Sequence, residues 1–204
     1  MTNNIAVIVC LSASACIAAD NGATAAVQGG AASFVANTTV PGVSVKGKST
    51  ALEARAVVQH QGEGLRLQDV AATVPVKSIL TGMAIRDEHM RRYIFTAPDG
   101  TTPDLRFETP DALCTPQSGH AGEFSCKLSG TLAIRGVARP FVIPLKLRAE
   151  GQAFRAAGDA TVKLSDYGIE QPSQFGVKTA NEIQVHLDFT AKEAAATLAS
   201  GGAR

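Results

Sequence analysis

Tryptophan is absent from this 204-residue chain, and tyrosine occurs only twice. Single-stranded nucleic acids are held on aromatic platforms, and the chain has few to offer. Charge of one sign is lacking too: 19 basic residues face 18 acidic ones, for a formal net charge of +1. That balance gives no field steering nucleic acid or acidic membrane toward the protein as a whole. The apolar run Ile5–Leu11 (IAVIVCL) is too short to span a bilayer, so no transmembrane segment is expected. No Gly-x-Ser-x-Gly elbow or His-Glu-x-x-His pair occurs, and no phosphate-cradling glycine loop is assigned. The spacing of Ser78, Asp87 and His89 neither requires nor forbids a nucleophile system. His60, His89, His120 and His186 make at best a thin case for a metal site. The reading is a non-enzymatic protein with no cofactor, no metal and no nucleic-acid partner.

What is present begins with an export signal over residues 1–19. Ile5–Leu11 is its apolar core, and Ala13-Ser14-Ala15 places small residues where a processing enzyme acts. A basic segment ahead of the core is missing. Cys16 follows directly, so a lipoprotein anchored through Cys16 is the alternative to a periplasmic or secreted protein. Of the four cysteines, Cys114 and Cys126 lie well beyond this segment. In an oxidising compartment they would bridge and stabilise the fold by about 3 kcal/mol on chain-entropy grounds; two buried thiols is the alternative.

Residues 20–32 are small, polar and glycine-rich, and read as a flexible spacer. The folded domain is expected over residues 33–190, with a small-residue tail over 191–204. Within the domain, period-two alternation dominates, giving about eight to ten strands. A phase change near Asp69 predicts a bulge. The cleanest hairpin sets Leu128, Leu132 and Ile134 against Phe141, Ile143, Leu145 and Leu147, with 135–140 as its turn and Arg135 and Arg139 as solvated turn charges. Pro144 on the return strand calls for an unpaired edge or a bulge. The one long excursion is 78–95, with a helix expected over 84–93 and Thr81 as its cap. Alternation of this kind suits a closed antiparallel β-barrel or a two-sheet sandwich equally well.

Three blocks narrow that choice. Residues 74–107 hold Ser78, Thr81-Gly82, Arg86-Asp87-Glu88-His89-Met90, Phe95 and Phe107; residues 130–142 read GTLAIRGVARPFV; and Asp166-Tyr167-Gly168-Ile169 precedes Val177 and Glu182. In this order they resemble the YceI family, polyisoprenoid-binding-like, lipocalin-like bacterial periplasmic proteins. The chain departs from that family at 38–48, which lacks its usual histidine, and in the cysteine-bounded loop. The resemblance implies an all-β, closed antiparallel β-barrel, lipocalin-like, with a short helical insert. It also implies binding, storage or transport of a long-chain amphiphilic lipid, an isoprenoid or similar, in an apolar lumen.

The residues expected to line that lumen are Val58, Val74, Val76, Ile79, Met83, Met90, Phe107, Leu132, Ile134, Phe141, Ile143, Val162, Leu164, Phe175, Val185 and Leu187. Arg86, Asp87, His89 and Arg91 form a polar cluster that either meets a head group or locks the insert, with Asp87 paired to an arginine and His89 donating to backbone. A stress-related extracytoplasmic structural or interaction module without a stable lipid is the alternative function. Association into a homodimer stays open.

Overall fold

The computed structural model describes residues 22–174 and 176–194. The proposed signal at 1–19, with Cys10 and Cys16, lies outside them. Ten strands occur in chain order among the described residues: β1 (Ala23–Thr38), β2 (Ser44–Ser49), β3 (Glu53–Gln61), β4 (Gly64–Val74), β5 (Leu105–Pro116), β6 (Glu123–Ile134), β7 (Val137–Glu150), β8 (Ala153–Lys163), β9 (Ser173–Gln174) and β10 (Val177–Ala194). Each pairs antiparallel with its neighbours, and β1 returns to β10, which closes the sheet. Strands β2 and β3 pair with successive halves of the same edge of β1 and act as one interrupted strand. Strand β9 is a two-residue flap on β10. The result is a closed eight-stranded antiparallel barrel with a short helical insert, a lipocalin-like fold.

Of the spacer expected over residues 20–32, the part from Ala23 onward is corrected to a strand, and residues 20–21 lie outside the described residues. Strand β1 starts at Ala23 and pairs with β10 from Thr24↔Ala194 to Thr38↔Thr179. Small side chains there permit close strand approach. At Gly30 (φ 139°), an added Cβ would come within 2.3 Å of the Phe189 Cα. The domain therefore begins about ten residues before Ser33, and residues 191–194 belong to β10 rather than to a tail.

The expected bulge is present. Asp69 adopts φ 50°, and the β3–β4 register shifts between Arg55↔Ala71 and Val57↔Gln68. The β6–β7 turn is tighter than expected. Ile134 pairs with Val137, leaving only Arg135 (φ 46°) and Gly136 (φ 82°) between the strands. Positive φ at both positions matches the right-handed twist of the flanking strands. Pro144 pairs toward β6, but the β7–β8 ladder runs only from Lys146↔Ala157 to Glu150↔Ala153. The seam opens at the residue without an N–H to donate.

The interior has two levels. One end is packed by Val58, Leu65, Leu67, Leu128, Leu145, Leu147, Phe154 and Ala156, together with Cys114 and Cys126. These cysteines are directly cross-strand on β5 and β6 and form a disulfide. A void of about 100 Å³ remains among those side chains. The other end carries Val76, Ile79, Met90, Phe95, Ile134, Val162, Leu164, Tyr167 and Ile169 around a much larger space.

Candidate functional site

That space is a cavity of about 1240 Å³. Its walls are inward positions of the strands: Ala32, Phe34 and Ala36 on β1, Ala72 and Val74 on β4, Leu105 and Phe107 on β5, Leu132 and Ile134 on β6, Phe141 and Ile143 on β7, Ala160 and Val162 on β8, and Ile183, Val185 and Leu187 on β10. Inward alanines on β1, β4 and β8 leave volume that larger residues would fill. Leu52, Ala72, Phe107, Ile143 and Leu187 border both this cavity and the small void, and so form its floor.

The roof is the insert. Helix α1 (Ala84–Met90) runs into a wider π-type turn over Arg91–Phe95, and Met90, Tyr93, Ile94 and Phe95 face the cavity. Of the residues expected to line the lumen, Val74, Ile79, Met90, Phe107, Leu132, Ile134, Phe141, Ile143, Val162, Leu164, Val185 and Leu187 border it. Val58 borders only the small void. Val76 is fully packed in a 3-10 turn (Val76–Ser78) and does not reach the cavity. Met83 is corrected to a surface position, 52% exposed, because it precedes the helix in extended conformation. Phe175 lies outside the described residues.

The polar cluster divides by burial. Asp87 is buried and accepts from the Thr81 N–H at 2.8 Å and from the Thr81 hydroxyl. Arg86 donates from Nε to Thr81 Oγ1 (2.8 Å) and from Nη2 to the Thr81 carbonyl (2.6 Å). Thr81 is therefore not the helix cap. Met83 occupies that position without a side-chain bond, and the carboxylate one turn into the helix reaches back to Thr81 instead. Burial alone would push the Asp87 carboxyl up, but the Thr81 hydrogen bonds and the charges of Arg91 and Arg86 outweigh it and hold it below its ordinary value.

A depressed folded value means that Asp87 contributes stability in full above its unfolded value of about 3.9, and that this contribution disappears as pH falls through the folded value. Asp87→Asn is expected to cost about 1–3 kcal/mol at neutral pH and to flatten the stability profile below about pH 4. Urea titrations across pH check both, and an unchanged acid slope would count against this lock.

Arg91 reaches the Lys77 carbonyl weakly (3.4 Å), and its Nε is buried without a partner among the described residues. His89 makes no hydrogen bond among the described residues, which corrects the expected backbone contact. Its ring meets Tyr93 edge-on, with centroids 5.9 Å apart. Both Arg86 and His89 border the cavity, whereas Asp87 and Arg91 do not. The Ser78 hydroxyl donates to Pro75 and also meets Ser49 Oγ at 2.6 Å. With Asp87 committed to Thr81 and Ser78 to Pro75, the three do not form a nucleophile system.

Two features escaped the sequence reading. Arg135 was read as a solvated turn charge; its tight turn brings it to the cavity mouth, where no described residue pairs with it. Its neighbour Arg139 instead donates from Nε to the Asp166 carbonyl (2.8 Å), tying the hairpin to the 3-10 turn Leu164–Tyr167. Tyr167 in that turn is buried, and burial with the nearby Asp166 charge pushes its hydroxyl up to about 12. Second, Gly42–Ser49 (GVSVKGKS) has the letter spacing of a phosphate-cradling loop. The structure lays Ser44–Ser49 out as strand β2, bonded to β1 and followed by β3 rather than by a helix, so no amide cradle forms. Among the described residues no group of three His, Cys, Asp or Glu side chains could hold a metal ion, and no helix is long and apolar enough to cross a membrane.

Comparison with solved structures places the fold. A polyisoprenoid binding domain from Saccharophagus degradans implicated in plant cell wall breakdown superposes with a TM-score of 0.61 at 14% identity, covering 83% of this chain and 98% of that one. BcnA of Burkholderia cenocepacia gives 0.60 at 16% identity, over 79% of this chain and 95% of that one. The YCEI protein of Campylobacter jejuni gives 0.56 at 18% identity, over 76% and 88%. In sequence, a UPF0312 protein of Pseudomonas paraeruginosa is 33% identical over 107 residues, 50% of this chain and 52% of that protein. The chain thus spans about half the length of the curated relatives it matches. A family model for the YceI-like domain matches residues 24–191, nearly the whole barrel from β1 through β10, and the chain belongs to the YceI-like domain family.

Proposed function

We propose that this barrel is a non-enzymatic carrier that binds, stores or transports a long-chain amphiphilic lipid of the polyisoprenoid kind outside the cytoplasm. The observation that carries this reading is the apolar cavity of about 1240 Å³ beneath the insert. A preformed, mostly apolar space of that size is poorly used by water, and each methylene buried in it contributes about 0.8 kcal/mol. Its polar lining includes Thr81, Arg86 and His89 on and before the insert, Arg106 on β5, Arg135 in the β6–β7 turn, and Glu170 and Gln171 after β8. An amphiphile would lie with its tail toward Phe107 and Leu187 on the floor and its head beside the Arg86 and Arg135 guanidiniums. Arg86 is held in place by Thr81, whereas Arg135 is free to meet a phosphate or carboxylate. The polyisoprenoid binding domain that shares this fold supports the lipid class, and the apolar Ile5–Leu11 segment with its small-residue processing site supports export.

Native mass spectrometry of protein purified from the organism that exports it tests the reading. A copurified lipid is expected. A clean apo mass, with no uptake of added isoprenoids, would overturn the carrier role and favour a module that works without a ligand.

A further inference from the structure

Large apolar side chains are also exposed on the two segments that flank the cavity mouth. Val40 and Val43 on the β1–β2 loop, Leu80 and Met83 before α1, Ile85 on α1, and Tyr93 after it are all exposed large apolar residues. Val43 and Tyr93 also line the cavity, so the outer patch and the inner wall are one surface. Leu113 and Val142 are the two other exposed large apolar residues described, and neither borders the mouth. A group of large apolar side chains exposed on neighbouring segments marks an interaction site.

The charge around the patch identifies the partner. Strand β2 carries Lys46 and Lys48, both exposed, and Lys48 pairs directly with Leu80. Lys77 is exposed at the start of the insert, and Arg92 is exposed on its π-type turn. Against them the insert sets Asp87, which is buried and committed to Thr81, and Glu88, which meets Arg92 at 3.5 Å. Asp166 and Glu170 lie on another segment of the rim, after β8. Arg92 is thus matched by Glu88, and the exposed cations left beside these apolar side chains are Lys46, Lys48 and Lys77, none of which meets an acid among the described residues. That is the pattern of a segment seated at the boundary between anionic head groups and acyl chains.

We infer that the rim formed by the β1–β2 loop and the helical insert docks on an anionic lipid bilayer, so that the mouth opens directly against the membrane from which a ligand is taken or to which it is delivered. This rests on the carrier reading above and adds where the ligand is exchanged. Apolar side chains from two separate chain segments flank the opening, and a lipid surface both conforms to them and supplies what the cavity takes. Each lysine or arginine near such a surface adds about fivefold in partitioning, and salt weakens it.

The test is sedimentation of the full chain with vesicles of phosphatidylglycerol and phosphatidylcholine, and with phosphatidylcholine alone. Wild type is expected to bind the anionic vesicles and to be released by salt. Met83→Glu with Ile85→Glu is expected to lower that binding about tenfold or more, since each places a charge where an apolar side chain would sit among acyl chains. Neither residue lines the cavity, so the lipid found by native mass spectrometry should be unchanged. Lys46→Glu with Lys48→Glu should weaken binding to anionic vesicles specifically, and Leu113→Glu, a 60% exposed position away from the mouth, should bind as wild type does. Equal loss in Leu113→Glu, or failure of wild type to bind anionic vesicles, would overturn the docking. So would a rim variant that changes a dimer into a monomer while vesicle binding stays intact, since the patch would then be a contact between copies. A protein that carries lipid yet ignores vesicles would sink only the docking. A clean apo mass together with rim-dependent vesicle binding would sink only the carrier.

Discussion

Removal of the Cys114–Cys126 bridge, by reductant or as Cys114→Ser with Cys126→Ser, is expected to lower the free energy of unfolding by about 3 kcal/mol. The bridge closes a loop with a sequence separation of 12, a size for which loss of chain entropy in the unfolded state accounts for about that much. In the native state the cysteines face one another on β5 and β6 and are buried among Leu128, Leu145 and Phe154 in the packed end of the barrel. Replacing them leaves the flanking β4–β5 and β6–β7 ladders in place, so the barrel is expected to fold still, with a melting temperature lower by about 6–12 °C at this chain size. Neither cysteine borders the cavity, so lipid retention below the melting point should be unaffected. Urea unfolding with and without reductant measures the first effect, and native mass spectrometry the second. An unchanged urea midpoint would show that the bridge contributes nothing, and loss of lipid on reduction at low temperature would show that the two ends of the barrel are coupled.

Much of this architecture was legible because a half-buried strand writes its two faces into alternating residues. The run from Leu128 to Leu147 announces a hairpin, Asp69 announces a bulge, and Pro144 announces a break in pairing; the barrel contains all three. Strand β1 was not legible in its first half. Alanine and glycine suit both a spacer and a strand that must pass close to its neighbours, and only the pairing with β10 decides between them. Met83 was misplaced for a different reason. It directly precedes the helix in extended conformation, and residue type alone did not show that its side chain turns to solvent there. The polar cluster was visible as a cluster, yet its internal wiring was not. Local spacing allowed Asp87 to meet an arginine and Thr81 to cap the helix, and the fold joins Asp87 to Thr81. Arg135 reaches the mouth only because Ile134 pairs with Val137, a register that residue types alone did not specify.

The empty interior itself can be tested by filling it. Ala160→Trp on β8 and, independently, Ala32→Trp on β1 are expected to weaken lipid uptake more than tenfold while changing stability by no more than about 1 kcal/mol. Both alanines border the cavity, and the side chain added at either has free volume ahead of it rather than a packed neighbour. The usual penalty of about 1–3 kcal/mol for overpacking a dense core therefore should not apply. Ala160 also sits beyond the end of the β7–β8 ladder, where its strand pairs only with β10, and so has latitude to adjust. An indole that displaces two or three methylenes of a bound tail removes about 2 kcal/mol of burial, which is more than a factor of ten in affinity. Ala133→Trp is the control, because Ala133 lies on β6 between the inward Leu132 and Ile134 and faces away from the cavity. If the two plugged variants take up lipid as wild type does, the ligand does not occupy the lumen. If they unfold while Ala133→Trp does not, the volume above Phe107 is packed in solution, and the carrier role falls with it.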